Sequence, residues 1–294
     1  MSKPAKLALE DGAVFTGVSI GAGGGRTTTL TGGLRNDGQI TATSYEANAT
    51  GVLLNSGATA SAILNRGSIT ANSASFAGSG VTANARGIVI GAGASATSLN
   101  NTGSITATRT GETGDAVAVL DQAGTLRTIS NTGALRATVS APAIKADGTA
   151  ATVTSAGRAI ALDLRANTSG VTFTQSGPAD FTSTSTYPST DTTTSATSSS
   201  TTTAPSTVGD VLFGGGADTL NLWSGTLLGE MSFGAGQDRL SIDGGAVALG
   251  KLYDSDGKLD LAITNGSLAI ANSDTINVTS LNLGSKAKLL FSAD

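Results

Sequence analysis

Four stretches of the chain, Asn36-Asp-Gly-Gln-Ile-Thr-Ala-Thr43, Asn65-Arg-Gly-Ser-Ile-Thr-Ala-Asn72, Asn101-Thr-Gly-Ser-Ile-Thr-Ala-Thr108 and Asn131-Thr-Gly-Ala-Leu-Arg-Ala-Thr138, are versions of one phrase. Their glycines, Gly38, Gly67, Gly103 and Gly133, lie 29, 36 and 30 residues apart. Each phrase opens with Asn-x-Gly, a turn signal in which glycine can take positive φ without steric cost. A short alternating strand follows, with Ile40 and Ala42 on one side and Thr41 and Thr43 on the other. The shared phase predicts an inward ladder of Ile40, Ile69, Ile105 and Leu135, with Thr41, Thr70 and Thr106 outside. A slip of one residue would turn every side chain to the other face.

Between these phrases lie short apolar runs, Gly51-Val-Leu-Leu54, Gly87-Ile-Val-Ile90, Ala116-Val-Ala-Val-Leu120 and Ala159-Ile-Ala-Leu-Asp-Leu164. They are aliphatic, too short for a helix and bounded by small or polar residues, so they read as strands. A third, weaker strand is expected in each unit, at Ala60-Ser-Ala-Ile-Leu64 and Ala96-Thr-Ser-Leu99. Three strands in a repeat of about 30 residues describe one coil of a β-solenoid. The fold class expected is therefore all-β, a right-handed parallel β-helix. The extra residues of the second unit, near Ser75-Phe-Ala-Gly-Ser79, read as a loop off its body.

A second repeat follows. Gly209-Asp-Val-Leu-Phe-Gly-Gly-Gly-Ala-Asp-Thr-Leu-Asn-Leu222 aligns with Gly229-Glu-Met-Ser-Phe-Gly-Ala-Gly-Gln-Asp-Arg-Leu-Ser-Ile242 at an offset of 20, a coil with little room for loops. Later strands are expected at Leu259-Asp-Leu-Ala-Ile263, Ser267-Leu-Ala-Ile270, Ile276-Asn-Val278, Leu281-Asn-Leu283 and Lys288-Leu-Leu-Phe291. The chain thus divides into an N-terminal hairpin or cap (1–31), a solenoid of about 30-residue coils (32–180), a Ser/Thr-rich loop or linker (181–207) and C-terminal coils of 20 residues (208–294). The Ser/Thr tract carries no apolar pattern, and so reads as a loop or hairpin thrown out from the stack, with a glycosylated or surface-sticking stalk as the alternative.

Composition agrees with a thin, repetitive body. Forty of the 294 residues are glycine and only 4% are aromatic, too few large side chains for one deep core, while 39% hydrophobic residues are too many for a disordered chain. Cysteine and histidine are both absent, which removes disulfides, thiolate metal sites and the commonest general base. A net charge of −4 argues against nucleic acid or an anionic membrane as partner. The start, MSKPAKLALEDG, lacks the layout of a signal peptide, so a secreted protein would be represented here by its mature part.

Taken together, the N-x-G-x-I-x-A-T repeats, the paired F-G-x-G-x-D-x-L coils and the closing strands of residues 259–291 resemble bacterial autotransporter passenger domains, over about residues 32–294. The resemblance implies a β-helix displayed at the bacterial cell surface or released outside the cell. It also implies that the C-terminal part assists folding next to a membrane β-barrel lying outside this sequence. Separately, Pro4-Ala-Lys-Leu-Ala-Leu-Glu-Asp-Gly-Ala-Val-Phe15 is similar to the start of the carbamoyl-phosphate synthase small subunit. That family requires a nucleophilic cysteine and a histidine, which this chain lacks, and the segment reads as a β-hairpin around Glu10-Asp-Gly12.

Three sets of residues are candidates for chemistry or recognition. Asp218 and Asp238 sit in sequences like half of the calcium-binding nonapeptide G-G-x-G-x-D-x-U, and are candidate calcium ligands. The alternative is that each caps a turn through backbone N–H groups. The acidic cluster Asp254, Asp256 and Asp260 is considered as the source of a carboxylate pair for glycoside cleavage, against the reading of Asp254-Ser-Asp-Gly257 as an ordinary turn. Thr41/Thr43, Thr70/Asn72 and Thr106/Thr108 would form an outward surface ladder, like the ice-binding face of some solenoids or simply the filling of an exposed strand face.

The expectation for function is a non-catalytic structural or adhesive solenoid, binding a cell-surface, matrix or glycan ligand through a repetitive face. An ice- or carbohydrate-surface binder and a calcium-stiffened surface-layer element are the alternatives. No membrane insertion is expected of this segment, and no cofactor beyond calcium. An open coil must be capped or recruit another chain, and the apolar strand Leu289-Leu-Phe291 predicts association of copies end to end.

Overall fold

The computed structural model describes residues 5–8, 14–21, 27–177, 181–187, 196–271 and 276–291. Among them every regular element is a strand, and the strands make an all-β, solenoid-like stack of parallel sheets. A first sheet collects the apolar runs in chain order: Val14–Ile20, Ala49–Leu54, Ala85–Ile90, Ala116–Asp121, Ala159–Asp163, Asp210–Leu212, Met231–Phe233 and Leu252–Asp254. Ala5–Ala8 lies antiparallel on Val14–Ile20, so the N-terminal hairpin is present, although its turn falls outside the described residues.

Two further rows of strands complete each coil. One runs from Leu34–Asn36 through Ile63–Asn65, Ser98–Asn101, Thr128–Asn131, Thr172–Gln175 and Thr219–Leu222 to Asp238–Ile242. The other contains the strands of the repeated phrase, Gln39–Tyr45, Ser68–Ala74, Ser104–Thr110 and Ala134–Ser140, followed by Ser206–Val208, Thr226–Leu228 and Ala246–Gly250. The long strand Leu259–Ile270 spans both rows, and Ser280–Phe291 pairs along its length.

The register follows the phase of the repeats. Ile40 pairs with Ile69, Ile69 with Ile105 and Ile105 with Leu135, and the last three are fully buried. Burying such a side chain contributes about 1.5–3 kcal/mol, so the ladder is a main source of cohesion between coils. Behind it Ala42, Ala71, Ala107 and Ala137 form a small-residue seam against Ala49, Ala85 and Ala116 of the first sheet. In the 20-residue coils Phe213 stacks on Phe233 with ring centroids 5.1 Å apart, and Leu220 pairs with Leu240.

Four sequence expectations need correction. The glycines of Asn-x-Gly do not use positive φ. A Cβ on Gly67 would overlap the carbonyl oxygen of Gly38, one on Gly103 that of Gly67, and one on Gly133 that of Gly103. Glycine is needed there because successive coils approach backbone to backbone. The third strand of a unit is split: Ala58–Ala60 and Ile63–Asn65 belong to different sheets, as do Ser95–Ala96 and Ser98–Asn101, since the chain turns a corner between them. The separate strands expected at 259–263 and 267–270 are one continuous strand, as are those at 281–283 and 288–291, whereas 276–278 is not a strand. Finally, the Ser/Thr tract holds the hairpin its reading allowed, but it stops short of residue 207, where the coil has already resumed. Phe181–Tyr187 and Ala196–Thr202 pair as an antiparallel hairpin, and Ser206–Val208 belongs to the stack, pairing with Ala134–Ser140 and burying Thr207.

Candidate functional surfaces

The outward side of the repeated-phrase row carries the threonine ladder. Thr41 pairs with Thr70 and Thr70 with Thr106, while Thr43, Asn72 and Thr108 form a second column two residues on. These side chains alternate with the buried Ile and Ala positions and so reach solvent. Strand spacing places successive hydroxyls about 4.8 Å apart along each column. Arg136 ends the first column, and Thr138 continues the second, its hydroxyl 3.5 Å from that of Thr108. Toward the C-terminal end the same outward positions become apolar, through Leu228, Leu249 and Leu290.

Asp218 and Asp238 are buried at the corner between the first sheet and the next row. Asp238 Oδ1 accepts from the Asp218 amide at 2.7 Å, and Asp218 Oδ1 accepts from the Val171 amide at 2.6 Å. Each carboxyl thus ties its coil to the coil before it, the backbone-capping role. The second oxygen, Oδ2, of each has no partner. Burial pushes Asp218 up to about 7, with Asp238 adding to the shift, and pushes Asp238 up to about 6, with Asp254 and Asp256 adding to it. Among the described residues no three His, Cys, Asp or Glu side chains are grouped so as to hold a metal ion.

The three carboxylates considered for hydrolysis have different surroundings. Asp254 stacks in register on Phe233, where burial raises its pKa. Asp256 pairs with Lys258 at 3.0 Å and accepts from the Gly236 amide. Asp260 pairs in register with Arg239 and accepts from the Ser280 hydroxyl at 2.6 Å.

Two polar features escaped the reading of the sequence. The asparagines of the repeated phrase form a buried amide column. Asn36 Nδ2 donates to Asn65 Oδ1, Asn65 to Asn101 and Asn101 to Asn131, each at 2.8 Å, and Asn131 donates to Gln175 Oε1 at 3.1 Å. Its signal was the recurrence of Asn at the first position of all four phrases, which a turn-forming role alone had accounted for. The other feature is Arg109, fully buried at an inward position of its strand. It donates to Ser75 Oγ at 2.8 Å, to the carbonyl of Thr113 at 3.0 Å and to Ser73 Oγ at 3.3 Å, tying the side loops at 75–84 and 111–115 to the stack. A lone arginine in a strand gives no such signal in the sequence.

No known protein family, curated protein or solved structure matches this chain.

Proposed function

We propose that this chain is a right-handed parallel β-helix acting as a non-catalytic structural and adhesive element, displayed at the bacterial cell surface or outside the cell, as its resemblance to autotransporter passenger domains implies. The observation that carries the reading is the pair of in-register polar columns, Thr41–Thr70–Thr106 and Thr43–Asn72–Thr108, on the outward side of one row of strands. Hydroxyl and amide groups repeated at a fixed spacing suit a ligand that is itself repetitive, such as a glycan or matrix polymer. Many weak contacts then add through effective concentration.

The test is binding of the protein to immobilised glycans and matrix polymers, compared with a Thr41→Lys/Thr70→Lys/Thr106→Lys variant. These side chains face solvent, so the fold should hold while the column becomes a row of like charges. Retention on at least one polymer by the parent, and loss in the variant, is the expected outcome. Equal retention of both, or no retention of the parent, would count against the reading.

A further inference from the structure

Three features fall together where the strand Gln39–Tyr45 turns the corner toward Ala49–Leu54 of the first sheet. Tyr45 lies on the same outward side as Thr41 and Thr43, since Ala42 and Ser44 between them are buried. Its ring is 43% exposed and meets the ring of Phe76, from the next coil, edge to face, with centroids 4.9 Å apart and an interplanar angle of 69°. The next residue, Glu46, has a φ of 55° and is the only non-glycine residue with positive φ among those described. A residue with a long side chain is strained in that region, where glycine is not. Its neighbours hold it there. The Glu46 amide donates to the Ala74 carbonyl at 2.7 Å, and the Ser44 and Ser73 hydroxyls donate to the Ala47 carbonyl at 2.6 and 2.8 Å.

We propose that this corner is a binding site for a neutral glycan, with the Tyr45 ring as the platform on which one sugar ring stacks and the Glu46 carboxylate as the acceptor for its hydroxyls. The proposal rests on the surface-binding reading and names the class of ligand within it. A pyranose sets an apolar face of C–H groups beside a rim of hydroxyls, and the corner offers partners for both side by side. The face of an aromatic ring carries the negative part of its quadrupole, which attracts C–H groups. Tyrosine supplies such area at a small loss of conformational freedom, and the contact with Phe76 fixes the ring before a ligand arrives. Ala74, opposite Tyr45 in the next coil, is small, and beyond it the Thr110 and Ser140 hydroxyls are 3.1 Å apart. A sugar on the ring therefore meets a low step and then hydroxyls two strand spacings away, about 10 Å.

Strain and charge support the same ligand. Backbone strain collects at binding and switch sites, where the surroundings over-determine it, and a glycine at position 46 would remove the strain together with the carboxylate. Among the described residues Glu46 makes no ion pair, so its carboxylate is open to a ligand. Desolvation, and after it the charge on Glu46, raises the pKa of the Tyr45 phenol, which places ring and carboxylate within electrostatic reach of each other. That charge, in a chain of net charge −4, disfavours a polyanion.

Retention on immobilised cellulose, chitin and amylose, set against alginate and collagen, tests the site with Tyr45→Ala, Tyr45→Phe and Glu46→Gly. At least one of the three neutral polysaccharides is expected to hold the parent more firmly than alginate does. Tyr45→Ala should need about tenfold more protein for the same bound fraction. Tyr45→Phe, which keeps the ring, should lose less. Glu46→Gly should bind more weakly than the parent yet melt at the same or a higher temperature, since the substitution relieves strain while it removes the acceptor. That variant decides the matter if Tyr45→Ala melts early. A neutral polysaccharide that holds the parent, Tyr45→Ala and Glu46→Gly equally, but releases Thr41→Lys/Thr70→Lys/Thr106→Lys, would overturn this site and leave the surface-binding reading standing. Retention of the parent on alginate or collagen alone would overturn the glycan assignment. No retention on any of the five would overturn both.

Discussion

Asn101 shows how much of this fold depends on single side chains working across coils. Its carboxamide accepts from Asn65 and donates to Asn131 and to the Ala134 carbonyl, all in a buried column. Replacing it with leucine keeps the branched shape, adds bulk to a tight column and leaves those groups unpaired, each at a cost of about 1–3 kcal/mol. Asn101→Leu is expected to lower the urea midpoint by a correspondingly large amount, whereas Asn100→Leu, on the outward side of the same strand, should change it little. Asp218 and Asp238 make stability depend on pH in an uncommon direction. Their folded pKa values lie above that of an unfolded aspartate, so the folded state holds more protons between about pH 4 and about pH 7. Their contribution is complete below the unfolded value and is lost as pH rises through about 6 and about 7. The melting temperature is expected to rise as pH falls from 8 to about 5, with a shallower slope in the Asp218→Asn/Asp238→Asn double variant. At this scale the sequence disclosed which residues repeat but not what they meet. An Asn-x-Gly turn looks the same whether its glycine supplies positive φ or simply makes room for the next backbone.

At the scale of elements, strands with a clean two-residue alternation were legible and their boundaries were not. The phase of Ile40, Ile69, Ile105 and Leu135 was enough to set the register, because only one phase buries the aliphatic positions. The corner after Ala60 and the continuous bend through Thr264-Asn-Gly266 depend on how the coil closes in space, which no local pattern records. The Ser/Thr tract shows both sides: a loop or hairpin was legible in its composition, and the point where the coil resumes, at Ser206, was not. Its strands, Phe181–Tyr187 and Ala196–Thr202, pair only with each other. Its two ends meet where the chain leaves and rejoins the coil: a Cβ placed on Gly177 would lie 3.3 Å from Pro205 Cδ. Joining Gly177 directly to Ala204 would leave a corner of four residues between Gln175 and Ser206, close to the three that link Leu222 to Thr226. Such a deletion is expected to leave the melting temperature unchanged or slightly raised, since a long loop is removed from the coil and closure entropy grows with loop length. A fall of many degrees would mean that the hairpin supports the stack.

Over the whole molecule, the repeats made the stack legible because every coil restates the same pairing problem. The 20-residue coils show the principle most economically. Gly229 lies where a Cβ would overlap the Gly209 carbonyl, and Gly250 stands in the same relation to Gly229, so one corner is reproduced three times without side chains intervening. Nothing in such a coil refers to its distance from either terminus; each meets only its two neighbours, as in other one-dimensional repeat folds. Duplicating one 20-residue segment of the gene would therefore lengthen the rod by one strand spacing, about 4.8 Å, and leave both tips as they were. Length in a molecule of this build is an inherited count, a ruler that evolution can extend or shorten one graduation at a time.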